Sequence, residues 1–491
     1  MKAYIDNMCT VELVPSEKTT GTLMTEKIAL HEREGKEEAF MLGDLGDVIN
    51  KYKRWVTKLP RVKPFYAVKC NNEHAVLKVL SDLGASFDCA SKSELQMVLN
   101  LGVEPSRIIY ANPCKQRSYI RYAAQHRVSL MTFDNEEELY KIKEIYPDAR
   151  LVIRILPPNN FKVQCDLGLK FGCHPSKALP LLQAARNLGL NVVGVSFHVG
   201  SGCLEVGAFA AAIQQARKVF DIGLDLGFDF NLLDVGGGFP GQVSPPISFD
   251  EIAEVVNGTL DLYFPSEDCV RIIAEPGRYM VASAFTLVAN IIAKRVVTRD
   301  QRGENGEPVT LLSASDEPAM MYYINDGVYG SFNCLLFDHA HDHVTAYVPR
   351  EPEIELTYEC SLWGPTCDGL DCIIETTHLP ELKVGDWLFF LDMGAYTTVA
   401  ASAFNGMVQP IRYYYCSADV WHEIYPKQQR KETLETNQRP LHLKSAHIFQ
   451  ETAVIHDSGN QFAVSSTAVD SMFGTVLTVF RSAWDRIWNN N

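Results

Sequence analysis

The sequence predicts a (β/α)8 barrel joined to a second, all-β domain. Three observations point there: eight short apolar, β-branched runs, helical periodicity between them, and polar residues suited to chemistry near the end of each run. The runs are FYAVKC (65–70), FDCAS (87–91), IIYANP (108–113), SLMTFD (129–134), RLVIRIL (150–156), VVGVSFHVG (192–200), LLDVGGGF (232–239) and RIIAEPGRYM (271–280). The first five begin about 21 residues apart and the last three about 40, which leaves room for crossover helices such as Glu94–Leu101 and Ala208–Leu226. Eight such units in succession close a barrel, and barrel enzymes keep their chemistry at the C-terminal ends of the strands. Lys69, Asp88, Asn112, Asp134, Arg154, His198, Gly236 to Gly238 and Glu275 all fall there.

The barrel is expected over residues 45–283, and residues 1–44, outside its repeat, are expected to pack with the β domain. That domain spans 284–420, where strand-like runs (AFTLVANIIAK, MMYYINDGVYG, YECSLWGPTCDG, DWLFFLDMGAYT, PIRYYYCS) alternate with turn residues. Within it, 298–318 reads as an exposed polar loop. Residues 421–491 read as a loosely ordered tail ending in an amphipathic helix, Asp470–Trp488, whose stripe includes Phe473, Leu477, Phe480 and Trp484. Arg481 and Arg486 face Asp470 and Asp485 in number, so this helix lacks the basic face of a membrane binder and is expected to dock on its own domain.

Composition narrows the function. Over 491 residues, 45 Lys+Arg against 60 Asp+Glu leave a net charge of −15, which provides no basic field for nucleic acid or anionic lipid. The longest apolar stretch, Met280–Ala293, is broken by Ser283, Thr286 and Asn290 and is too short to span a bilayer. Residues 1–24 show no secretory signal. Thirteen scattered cysteines without a CxxC pair indicate neither a disulfide framework nor a zinc module, so no metal is expected and a reducing, cytoplasmic setting is.

The chemistry gathers in three strand ends. HVGSGC (198–203), DVGGGFPG (234–241) and AEPGRY (274–279) combine three consecutive glycines, a nest for an anion, with the fixed fork of Arg278. Tight turns would explain the glycines alone; they do not explain the adjoining Arg, Glu, His and Ser. A lysine at the first strand end, a phosphate cradle and a carboxylate, Glu275, for a ring nitrogen suit pyridoxal phosphate, with His198 placed to stack on its face.

These motifs, with FDCASKSE, YANPCKQ, YYINDGVYGSFNC, LWGPTCDGLD and MGAYTTVAASAFNG, resemble the fold-type III, pyridoxal-phosphate-dependent decarboxylases of basic amino acids, in their eukaryotic ornithine branch. The resemblance runs from about Phe40 to Ser417. It implies decarboxylation of L-ornithine to putrescine, a step of polyamine biosynthesis, in a head-to-tail homodimer with sites at the subunit interface. It further implies that Lys69 binds the cofactor covalently, Glu275 holds the ring nitrogen and His198 stacks on the ring. Ser201, Gly236, Gly237, Gly238, Arg278 and Tyr396 would bind the phosphate. Asp88 and Arg154 would lie near the lysine, where a charge pair tunes it. Asp338 and, from the other chain, Asp368 would grip the distal ammonium, Cys367 would return a proton to Cα, and Phe404 would belong to the apolar wall where CO2 leaves. Antizyme is implied as a partner for the region Lys115–Lys143, through Lys115, Arg117, Arg121, Arg127, Lys141 and Lys143. Rival readings are a catalytically inactive, antizyme-inhibitor-like binding protein, a sister decarboxylase acting on lysine, arginine or diaminopimelate, and a racemase, which would need a second base opposite the lysine. Two departures from the family stand out: Pro157-Pro158 where an acidic loop is expected, and Phe337 before Asp338 where tyrosine is frequent.

Overall fold

The computed structural model describes residues 2–6, 9–165, 167–297, 319–341, 344–349 and 356–426. The polar loop expected at 298–318 and the helix expected at Asp470–Trp488 lie outside the described residues.

Eight parallel strands close the barrel: Val62–Ala67, Ser86–Cys89, Ile108–Tyr110, Leu130–Phe133, Arg150–Arg154, Asn191–Ser196, Leu232–Asp234 and Arg271–Ala274. Closure is made by the eighth strand pairing with the first, Ile272 opposite Val62. Every apolar run overlaps a strand, and each strand stops short of the run's end, because the chain turns away once its last inward residue is placed. Inside, Phe65, Ile109, Ala111, Leu130, Val152, Val193, Leu232 and Ile273 form their own cluster, drawn from every strand but the second. The two-residue period of a strand then fixes what lies beyond this plug. Val152 and Arg154, Leu232 and Asp234, and Ile273 and Glu275 share a face, so the interior passes from apolar to charged toward the C-terminal mouth.

Helix Leu45–Lys58 precedes the first strand and packs on His74–Asp82, Phe249–Tyr263 and the single helical turn Arg278–Val281 that follows the eighth strand. It therefore fills the place a full eighth crossover helix would take. Asp44 caps it by accepting from the Gly46 amide at 2.8 Å. Trp55 anchors it: fully buried, it donates to Val62 O at 2.8 Å and meets the rings of Phe239, Phe249 and Tyr279.

The second sheet runs Lys2–Ile5, Cys9–Val14, Ile411–Ser417, Phe40–Asp44, Phe285–Val297, Ala319–Ile324, Thr357–Trp363, Cys372–Pro380, with Trp387–Phe390 paired to Phe285–Val297. Residues before the barrel thus supply three of its strands, and Phe40–Asp44 sits between strands from the far end of the chain. Helix Ala418–Ile424 crosses the boundary expected at 420, and its Trp421 is fully buried.

Candidate active site

Strand one ends at Ala67 and a single 3-10 turn, Val68–Cys70, carries Lys69. Its ammonium contacts Asp88 Oδ2, and Asp88 is fully buried at the end of the second strand. Burial opposes the charge on Lys69, but the charges of Asp88 and Glu275 outweigh it and hold the ammonium above the ordinary lysine range. Arg154, expected to pair with Asp88, makes no ion pair among the described residues. Its guanidinium lies 5.2 Å from the centre of the Phe171 ring, and its charge reaches Asp88 only at longer range.

Beside this pair lies a second buried carboxyl couple. Asp234 is pushed up to about 7, chiefly by burial, while Glu275 is raised well above the usual range by burial and by the charges of Asp234 and Asp88. Burial thus raises the proton affinity of both carboxyls, and Asp234 Oδ1 accepts from the Gly236 amide at 2.9 Å. Asp234 was not among the residues the motifs singled out, although its two-residue offset from Leu232 marks it as inward-facing.

His198 is kept neutral, its affinity for a proton lowered by burial and then by Arg154 and Lys69. The Gly200 amide donates to its Nδ1 at 3.0 Å, so the ring proton sits on Nε2. Gly237 leaves room for this ring: a Cβ there would lie 2.7 Å from His198 Nε2 and 2.9 Å from Glu275 O. Gly236 and Gly238 take positive φ values of 64° and 109°.

Arg278 Nη2 donates to Ser201 Oγ at 2.9 Å and to both oxygens of Asp338 at 2.6 and 2.7 Å. Its guanidinium lies 5.1 Å from the centre of the Tyr396 ring. Tyr396 adopts φ 56°, and its amide donates to Cys70 O at 2.9 Å, tying a β-domain loop to the residue after Lys69. Gln164 also reaches Asp338, and no periodicity or motif had announced it: its amide donates to Asp338 O at 2.7 Å and Oδ2 at 3.0 Å.

The structure therefore brings together Lys69, Asp88, His198, Ser201, Gly236, Gly237, Gly238, Glu275, Arg278, Asp338 and Tyr396. Cys367, Asp368 and Phe404 form a separate cluster: the Tyr329 hydroxyl donates to Asp368, the Tyr329 and Phe404 rings lie 4.5 Å apart, and the Cys367 amide donates to Asn405 Oδ1 at 3.0 Å. Among the described residues no hydrogen bond, ion pair or ring contact joins that cluster to Lys69 or Glu275. The basic region splits as well. Lys115 is buried, with its ammonium 3.0 Å from Glu138 Oε1 and donating to Thr132 O at 2.6 Å, so it is no part of a docking surface. Lys141 pairs with the same Glu138 at 2.5 Å.

The residues present fit pyridoxal phosphate. Glu275 Oε1 and Arg278 Nε are buried without hydrogen-bond partners, in keeping with a ring nitrogen and a phosphate as their missing counterparts, and the glycine turn keeps the cradle clear of side chains.

Comparison with known proteins agrees with this geometry. The model of the family "pyridoxal-dependent decarboxylase, pyridoxal binding domain" matches residues 45–282. The chain is 52% identical to ornithine decarboxylase of Rattus norvegicus over 404 residues, covering 82% of this chain and 86% of the relative. It is also 52% identical to antizyme inhibitor 2 of Xenopus laevis over 396 residues, 80% of this chain and 84% of that one. Among solved structures, the arginine decarboxylase of Paramecium bursaria Chlorella virus superposes with a TM-score of 0.73 at 32% identity, covering 80% of this chain and all of that one. The barrel with its charged mouth, the matching cofactor-binding model and relatives of this identity over most of their length lead to one assignment: the chain belongs to the fold-type III, pyridoxal-phosphate-dependent decarboxylases, in the eukaryotic ornithine decarboxylase branch.

Proposed function

We propose that the chain decarboxylates L-ornithine to putrescine and CO2 in the cytoplasm, with a second copy of itself completing each site. The observation that carries this reading is one loop cluster holding Lys69 against Asp88 at one side and a buried carboxylate, Asp338, on Arg278 at the other. Pyridoxal 5'-phosphate bound there supplies an electron sink for the pair left at Cα when the carboxylate departs. Lys69 would hold that cofactor through its side-chain amine, and Asp88, itself within reach of the Arg154 charge, sets the proton affinity of the lysine. Glu275 as a carboxylate would favour a proton on the ring nitrogen, and neutral His198 would add no charge beside the ring. Ser201, Gly236, Gly237, Gly238, Arg278 and Tyr396 bind the phosphate.

Asp338 receives the distal ammonium together with Asp368 of the partner subunit, Cys367 of the partner subunit returns a proton to Cα, and Phe404 of the partner subunit keeps water from the departing CO2. The barrel, 45–283, thus supplies the cofactor half of the site together with Tyr396, and the β domain, 284–420, the substrate half. Two carboxylates at the far end select a diamino acid. The test is CO2 release by the purified chain with added cofactor, offered ornithine, lysine, arginine and diaminopimelate separately, with the amine identified by mass. Putrescine from ornithine at the highest kcat/KM is expected; preference for another substrate would overturn the assignment.

The identity to a Xenopus antizyme inhibitor favours one second reading, a binding protein on the same barrel. Retention of Lys69 on Asp88, with Arg154, Arg278, Cys367 and Asp368, speaks for catalysis. Antizyme would meet the exposed Arg117, Arg121, Arg127 and Lys143. Charge reversal at Arg121 and Arg127 is expected to weaken that binding, and unchanged affinity would remove this partner.

A further inference from the structure

Gln164 lies in the short strand Val163–Cys165, paired antiparallel with Ser201–Cys203, so two loops of the barrel mouth hold it between them. Gly202, at φ 61°, makes the space: a Cβ there would come within 2.7 Å of Gln164 Oε1. The side-chain amide carries two hydrogens, and it spends them on one residue, donating to the main-chain carbonyl and to Oδ2 of Asp338. Asp338 closes the short helix Cys334–Phe337 and precedes His339, which has φ 53°, so its backbone sits at a sharp exit from the helix. Tying carbonyl and carboxylate to the same donor locks the side chain relative to that backbone.

A carboxylate offers about four lone-pair positions. Arg278 Nη2, shared with Ser201, lies astride the two oxygens of Asp338, and Gln164 adds a separate bond on Oδ2 alone. Oδ1 therefore carries fewer donors than Oδ2 and is the oxygen more open to a further cation.

From this geometry we infer that Gln164 is a positioning residue that sets substrate length: by occupying Oδ2 it directs a distal ammonium to Oδ1 at a single reach. This rests on the reading of Asp338 as the ammonium acceptor. One methylene moves the ammonium along the chain by a little over an ångström, and with Oδ2 open the site would accept either position. Length selectivity then belongs to Gln164 as much as to the acid it holds, whereas charge selectivity belongs to Asp338.

The test uses the holoenzyme and its Gln164→Leu, Gln164→Glu, Asp338→Asn and Gln164→Leu/Asp338→Asn variants. Cofactor absorbance and thermal melting establish that each variant is folded and loaded. Calorimetry measures putrescine and cadaverine affinity, and kinetics measures kcat/KM for ornithine and lysine. For Gln164→Leu the expected result is a fall of about tenfold in putrescine-over-cadaverine and ornithine-over-lysine preference, the scale of one-methylene discrimination, with cofactor content unchanged. Gln164→Glu, which sets a carboxylate against Asp338, is expected to weaken putrescine binding further. In the Asp338→Asn background, Gln164→Leu is expected to add nothing, because the two residues act as a unit. Unchanged preference in both Gln164 variants while Asp338→Asn weakens diamine binding would overturn the role of Gln164 alone, as would additive effects in the double variant. Diamine affinity unchanged in Asp338→Asn would overturn the ammonium-acceptor reading and this inference with it.

Discussion

At the scale of single residues, the mouth of the barrel is an arrangement of buried carboxyls around one lysine, and the protons are distributed by distance. Asp88 holds the charge of Lys69, while burial raises the proton affinity of both Glu275 and Asp234. The neutral His198 beside them adds no repulsion, since a charged imidazole would be buried near Arg154 and Lys69. The glycine turn is the part least able to absorb change. Gly237→Ala would drive a methyl group to 2.7 Å from His198 Nε2 and 2.9 Å from a backbone carbonyl. Overpacking of this kind costs about 1–3 kcal/mol, so cofactor affinity measured by titration of the apo chain is expected to fall about tenfold. Unchanged affinity would mean the cradle gives way more easily than its packing indicates. The motifs made Lys69, Glu275 and Arg278 legible because each stands at a strand end in a recognisable run. Gln164 was not legible: its strand is three residues long and half-buried, and its partner strand lies beyond another barrel helix and strand.

Among the elements, the loop from Asp326 to Ser331 has its own pH dependence. Asp326 Oδ1 accepts from the Gly327 and Ser331 amides at 2.8 and 2.9 Å, while Oδ2 is buried without a partner. Burial pushes the carboxyl from its ordinary 3.8 up to about 6. Between those values the folded chain holds a proton that the unfolded chain has released, so the stability present below 3.8 is lost as pH rises through 6. The loss is about 3 kcal/mol for a shift of this size. Asp326→Asn keeps the amide acceptor and removes the titration. Denaturant midpoints across that interval are expected to fall with pH in the parent and to fall less in the variant; equal slopes would contradict it. The barrel strands themselves could be read from their apolar, β-branched runs. Cys372–Pro380 could not: in CIIETTHLP the buried positions do not alternate, because the strand lies at the sheet edge with mixed exposure on both faces. The reach of FYAVKC was over-read for a related reason, since Val68 and Cys70 are buried in a 3-10 turn and look in sequence like more strand.

For the whole molecule, barrel and β domain meet where the chemistry is. The Tyr396 amide on Cys70 O and the Asn71 side chain on Gly394 O at 2.9 Å fasten the lysine turn to β-domain loops. Within one chain, though, Cys367 and Asp368 remain on an exposed lobe beside Phe404, Met407 and Val408. An apolar, chemically equipped surface of this kind is what a two-fold dimer would exchange between copies. The most direct measurement co-expresses a Lys69→Ala chain with a Cys367→Ala chain and follows putrescine formation from ornithine. Each variant alone is expected to be close to inactive, and the mixture to regain about a quarter of parent activity, because half the dimers are mixed and each holds one intact site. No recovery in mixtures shown to contain the mixed dimer would contradict a site shared between two chains.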